Sequence, residues 1–214
     1  MGRRDRSVKR YVLLVQYDGT GFNGWQIQDG GRTVQHELES ALEILAREKI
    51  RVTASGRTDS GVHALGQVVH FDMESRIPLQ RICIGLNGIL PDEIAVKNCY
   101  VVPGDFHARF SAVSREYMYL IYNYPLRTPF MKYRSMWINH EFNPDYFRQA
   151  ASFLEGEHDF ASFCKKISAE AGTIRRIESI KIESDGELIK VFFRANAFLH
   201  NMIRIIIGTI VQMY

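Results

Sequence analysis

Ser55-Gly-Arg-Thr-Asp-Ser-Gly-Val-His-Ala64 is the stretch on which the reading of this chain turns, because it sets one carboxylate, Asp59, between two glycines and beside Arg57. A carboxylate suits nucleophilic or general-base work if it stays ionised at neutral pH, and a nearby guanidinium favours the charged form. Arg57 shares a face with Asp59 if the segment is extended, whereas Arg204 could arrive only through tertiary folding. Gly56 and Gly61 permit a tight turn and the close approach of a bulky substrate. Asp-Ser-Gly is also favoured turn composition, and on local chemistry alone Asp59 reads as a turn residue bonding its own backbone.

The flanks cast the motif as a loop between two extended segments. Arg51 to Ala54 leads into it, and Gln67 to Met73 puts Val69, Phe71 and Met73 on one face of a strand. Further upstream, the β-rich run Arg10 to Asp18 enters an Asp-Gly-Thr-Gly loop. That loop carries Phe22, Asn23, Gly24 and Trp25, expected to form a sticky, adaptable surface. Thr33 is a plausible N-cap for an amphipathic helix in which Val34, Leu38, Leu42 and Leu45 recur at helical spacing to Ala46.

A second helix is expected over Leu79 to Leu90, stopped by Pro91. Strands over Ile94 to Val102 and Ser114 to Tyr124 follow, with the loop Pro103 to Ser111 between them. In the second of these Arg115, Tyr117, Tyr119 and Ile121 share a face, and Pro125 ends the strand. Asn143 caps a third helix with Pro144 at its first position and Phe147, Ala150, Ala151 and Leu154 as its buried stripe. Ile174 to Glu183 and Leu188 to Asn196 read as a hairpin around Ser184, Asp185 and Gly186. A last helix from about Leu199 carries Leu199, Met202, Ile203, Ile206, Ile207 and Ile210. This stripe is still running at Tyr214, so either the sequence continues in the full protein or another element covers that end.

That element order suits an α+β protein with antiparallel or mixed sheet. Two comparable halves meet near Val101 to Arg109, dividing the chain into 1–105, with the aspartate loop, and 106–214. With 214 residues, 46% of them apolar, there is enough chain for each half to bury a core.

The net charge of +3 is modest but unevenly placed. Arg3, Arg4, Arg6, Lys9 and Arg10 form one basic cluster, and Lys165, Lys166, Arg175 and Arg176 another. Each either attracts phosphates or is a solvated basic segment. Tyr117 either stacks on a nucleobase or is an ordinary half-buried strand tyrosine. Arg204, aligned with His200 and Gly208 beside the last apolar stripe, is either a snorkelling edge residue or an ion-pair partner, and the pattern leans to the former. Cys83, Cys99 and Cys164 are expected to be reduced and mostly buried. The seven histidines lack metal-ligand spacing, and no Walker-type loop follows the glycines near Gly19 to Gly24. No apolar stretch of about 18 residues appears, and Arg6 stands where a myristoylation signal needs Ser or Thr, so a cytoplasmic protein without membrane attachment is expected.

Tyr17-Asp18-Gly19, Gly24-Trp25-Gln26, Gly56 to Ala64, Phe106-His107-Ala108-Arg109, Arg115-Glu116-Tyr117 and Phe198 to Arg204 together resemble, in order and spacing, the tRNA pseudouridine synthase A family. The resemblance runs from about Tyr11 to the end of the chain and reverses the turn-only reading of Asp59. It implies the pseudouridine synthase fold, two α/β halves sharing an extended mixed, largely antiparallel sheet with a central active cleft. It also implies conversion of uridine to pseudouridine at positions 38, 39 and 40 of the tRNA anticodon stem-loop, without metal or cofactor, by a cytoplasmic homodimer. On the matching motifs it carries the catalytic aspartate onto Asp59, base displacement onto Arg57, base stacking onto Tyr117 and pairing with the aspartate onto Arg204. Ser60 stands where alanine is common in the family, and family members usually continue beyond the last helix. The rival class, resting on the same basic patches and aromatics, is a tRNA-binding or chaperone module without catalysis.

Overall fold

The computed structural model describes residues 8–74, 77–165 and 172–213, which fall into two compact units, Met1–Ala112 and Val113–Tyr214. Arg3, Arg4 and Arg6 of the first basic cluster, Lys166 of the second, and Tyr214 lie outside the described residues.

In the first unit β1 (Lys9–Tyr17), β2 (Thr53–Ala54), β3 (Ala64–Met73) and β4 (Ile94–Val102) form an antiparallel sheet in the order β2-β3-β1-β4. The two-residue side-chain period explains its inner face: Tyr11, Leu13, Val15 and Tyr17 of β1 and Val69, Phe71 and Met73 of β3 are all buried. Tyr11 and Phe71 sit opposite each other in register and stack with ring centroids 5.5 Å apart. Helices α1 (Val34–Ala46) and α2 (Leu79–Ile89) contribute Val34, Leu38, Leu42, Ile82 and Leu86 to the same core. A register shift in β4 opposite Leu14 and Val15 moves the inward position from Asn98 to Cys99. Hence Ile94, Val96 and Cys99 are buried while Tyr100 is exposed, a parity change that simple alternation misses. Of the cysteines, Cys99 is buried and Cys83 and Cys164 are half-buried.

In the second unit β5 (Arg115–Asn123), β6 (Met136–Ile138), β7 (Gly156–Asp159), β8 (Ile174–Asp185) and β9 (Leu188–Ala195) form a mixed sheet ordered β6-β5-β9-β8-β7. Only the β5–β6 pair is parallel among these strands. Ile189, Val191, Phe193 and Ala195 alternate inward from β9 against Phe147 and Ala151 of α3 (Pro144–Ser152) and Met202, Ile206, Ile207 and Ile210 of α4 (Met202–Met213). The chain is thus α+β, with four helices and two sheets among the described residues. None of these helices is long and apolar enough to cross a membrane.

Three expectations shift. The last helix begins at Met202 rather than about Leu199, because Asn201 takes a left-handed φ of 59° that the helix cannot contain. His200 therefore precedes the helix. The hairpin turn closes on Gly186 and Glu187, with Gly186 at φ 59°, since β8 continues through Asp185. β6 and β7 had no sequence counterpart.

Candidate active site

The loop that carries Asp59 is held from below by Thr58. Its buried hydroxyl and the Tyr17 hydroxyl are 2.8 Å apart, and its carbonyl accepts from the Trp25 N–H at 3.1 Å. With Thr58 turned inward, Arg57 on one side is exposed and Asp59 on the other is half-buried. The loop then closes through the Val62 N–H, which donates to the Asp59 carbonyl at 3.1 Å, with Gly61 at φ 75°. At the loop entrance the Ser55 N–H bonds the Val68 carbonyl at 2.8 Å, and Gln67 Nε2 donates to the Gly56 carbonyl.

A second loop, 18–33, clamps the first from the other side. The Gly61 N–H and the Ser60 hydroxyl both donate to the Phe22 carbonyl at 3.3 Å. Asp18 Oδ1 accepts from the Thr20 N–H at 3.0 Å, and the Gly19 N–H points at His63 Nδ1 at 3.2 Å. Phe22 and Trp25 were expected at the surface, yet each is only 2% exposed. Both rings belong to the core of the first unit, Trp25 lying 6.2 Å from Tyr17, and their loop folds back into the cap of α1. There the Val34 and Gln35 N–H groups bond the Gly24 and Trp25 carbonyls at 3.3 and 3.0 Å. Thr33 caps the helix as expected, accepting from the His36 N–H. Sequence reasoning thus missed Tyr17, Phe22, Trp25 and Thr58 as supports; the Tyr-Asp-Gly and Gly-Trp-Gln groupings were the available signal.

Arg10 belongs to the first basic cluster, read as either phosphate-attracting or solvated, but its guanidinium is engaged internally. It grips both carboxylate oxygens of Asp72, at 2.7 and 2.6 Å, and donates to the Gly104 and Phe106 carbonyls at 2.6 and 2.8 Å. That bidentate pair holds the Asp72 carboxyl below the usual carboxylate range. Residues 103–111 are thereby laid against β3, where buried His70 accepts from the Ala108 N–H at 3.1 Å and its ring lies 4.7 Å from that of His107.

Burial pushes the His70 pKa below 6.5, helped by His107 and Arg10 and opposed by Asp72 and the Thr53 backbone. As pH falls through about 6.5 the unfolded chain takes up this proton before the folded one, so stability present above that pH is lost below it. Urea unfolding of the parent protein should therefore show a falling midpoint between about pH 7.5 and 5.5, and His70→Gln should flatten that dependence. An unchanged slope in the variant would place the dependence elsewhere.

In the second unit Tyr117 is half-buried near the start of β5, in register with Phe193 of β9, and its ring meets Phe198 edge to face at 5.0 Å. Arg204 is the third residue of α4 and is exposed, an edge residue as the pattern suggested. It lies near enough to Tyr119 to oppose the rise that burial imposes on that hydroxyl's pKa. The link from β9 to α4 is fixed by Arg115, whose Nη1 donates to the Asn196 carbonyl at 2.8 Å. The four singled-out residues thus fall two to each unit, Arg57 and Asp59 on one loop of the first, Tyr117 on β5 and Arg204 on α4 of the second. Among the described residues no group of three or more His, Cys, Asp or Glu could hold a metal ion.

A family model described as tRNA pseudouridine synthase matches residues 13–111 and 150–214. The chain is similar to tRNA pseudouridine synthase A of Ruminiclostridium cellulolyticum, 40% identical over 95% of this chain and 84% of that protein. It is 41% identical to the Geobacter sulfurreducens protein of the same name, over 97% of this chain and 84% of the relative. Against that of Paraburkholderia phymatum the identity is 44%, over 95% of this chain and 76% of the relative.

Proposed function

The chain belongs to the tRNA pseudouridine synthase family and is an isomerase acting on tRNA, and from that premise we propose that it isomerises uridines 38, 39 and 40 of the anticodon stem-loop with Asp59 as the essential group. The observation that carries the residue assignment is the mounting of Asp59: a half-exposed carboxylate on a loop whose backbone is held by Thr58, Trp25 and Phe22. Such a fixed carboxylate suits a reaction in which a group must be positioned before the barrier is climbed.

In the reaction the bond from ribose C1′ to uracil N1 breaks, the detached base turns, and C1′ joins C5. The proton on C5 leaves and N1 gains one, so no atom is gained or lost overall. Asp59 acts in this step, at the sugar or at the ring. The target nucleotide first leaves its stack, at a cost of a few kcal/mol, which stacking on an aromatic ring offsets. Tyr117 is assigned that stacking, Arg57 the displacement of the base and Arg204 the pairing with the aspartate. The shared extended sheet, the central cleft and a cytoplasmic homodimer belong to the same proposal.

Mapping pseudouridine in tRNA from cells with and without the active protein tests it. Loss of pseudouridine at the anticodon-arm positions in cells lacking activity is the expected result. Bound tRNA whose anticodon-arm uridines all stay unmodified would favour a binding or chaperone module instead.

A further inference from the structure

Residues 124–137, the loop that leaves β5 together with the first two residues of β6, lie between the two stretches matched by the family model. Leu126, Phe130 and Tyr133 are 72, 82 and 66% exposed, and Trp137 is 43% exposed. Arg127, Lys132 and Arg134 are interleaved with them, and no Asp or Glu occurs from Tyr124 to His140. The Lys132 ammonium sits 4.7 Å from the centre of the Tyr133 ring.

The segment is built to hold these groups outward. The Lys132, Arg134 and Ser135 N–H groups bond carbonyls of Pro129 and Met131 at 3.1 to 3.2 Å, making a tight turn. Trp137 Nε1 donates to the Tyr124 carbonyl at 2.8 Å across the loop's base, where Asn123 Nδ2 also bonds the His140 carbonyl at 2.7 Å. Tyr133 takes a left-handed φ of 65° that a bulky residue rarely adopts. A pre-formed display of rings and cations binds with little ordering of its own.

We propose that residues 124–137 form a second RNA-contacting surface, where Lys132 and Arg134 meet phosphates and Phe130 and Tyr133 stack on unpaired bases; this rests on tRNA being the substrate. Rings alternating with cations fit single-stranded or looped RNA, whose bases present π-faces and whose backbone is anionic. Self-association through this face is disfavoured by its own chemistry. A two-fold contact made by this segment alone would set a stretch bearing Arg127, Lys132 and Arg134, with no acid of its own, against its copy.

The test uses the full chain in two paired variants, Phe130→Ala with Tyr133→Ala and Lys132→Ala with Arg134→Ala, assayed with labelled tRNA across a salt series and in pseudouridine formation. The aromatic pair should weaken tRNA binding about tenfold or more, raising KM while kcat holds, with the salt slope unchanged. The cationic pair should weaken binding and lower the slope of log K against log salt by about 1.4 to 1.8. If both variants bind and turn over tRNA as the parent does, the proposal is overturned while the tRNA reading stands. Binding that holds while sedimentation reveals a lost dimer would also overturn it, making this face a protein interface. A parent protein that neither binds nor modifies tRNA overturns the functional reading along with it.

Discussion

Asp59→Asn should leave tRNA binding within a few-fold of the parent while tritium release from C5-labelled uridine falls by about 10⁴-fold or more. Asparagine keeps the shape of aspartate and loses its charge and basicity, so a group that must bond to the sugar or ring, or take a proton, is disabled without repacking. The substitution also separates the two local readings. Asparagine favours turns as readily as aspartate does, so a purely structural Asp59 would tolerate it with nearly full activity. Near-parental release at saturating tRNA would therefore remove Asp59 from the reaction and return it to the turn. The half-exposed side chain and the loop's support by Thr58, Trp25 and Phe22 backbone bonds lead one to expect an unfolding midpoint close to the parent's.

What could be read from sequence was whatever local chemistry determines. Thr33 and Asn143 were recognisable as caps because a short oxygen-bearing side chain before an apolar helical period satisfies the first free N–H groups. Asn143 Oδ1 indeed accepts from Asp145 and Tyr146 at 2.9 and 3.0 Å. β3 declared itself through alternation, and β8 and β9 through the turn residues between them. β6 and β7 did not, being three and four residues long; β7, Gly-Glu-His-Asp, is exposed at every position and is made a strand only by pairing with β8. The site divided the same way. The Asp59 motif stood out, but Phe22 and Trp25 are buried by docking between loops distant in sequence, and Arg10 is occupied by Asp72, 62 residues away. A composition-based reading sees aromatic residues in a glycine loop as surface and leaves clustered arginines open between a phosphate patch and a solvated segment; tertiary pairing decides both.

Gly24→Ala should be strongly damaging although it touches no reactive group. Gly24 lies at φ 87°, where a residue with a Cβ pays about 1–2 kcal/mol. Here the Cβ would also stand 2.6 Å from the Thr58 carbonyl oxygen, 3.1 Å from the Asp59 carbonyl carbon and 3.2 Å from the Ser60 nitrogen. All three are backbone atoms of the Asp59 loop, so relief requires moving the loop itself rather than rotating a side chain. A displacement near 1 Å at a reacting group lowers rate on the order of 10²-fold. The expected outcome is a single-turnover rate down about 10²-fold, with stability lower by about 2 kcal/mol and tRNA affinity largely kept. Gly19→Ala should act in the same direction, since its Cβ would overlap the Val62 carbonyl. Gly21→Ala is the internal control: it lies in the same loop with nothing within 4 Å of the added carbon, and should behave as the parent. If all three alanine variants retained parental rates, the close docking of the two loops would have no part in positioning Asp59. If Gly21→Ala failed alongside the others, the loop's flexibility rather than its contact with residues 58–62 would be what matters.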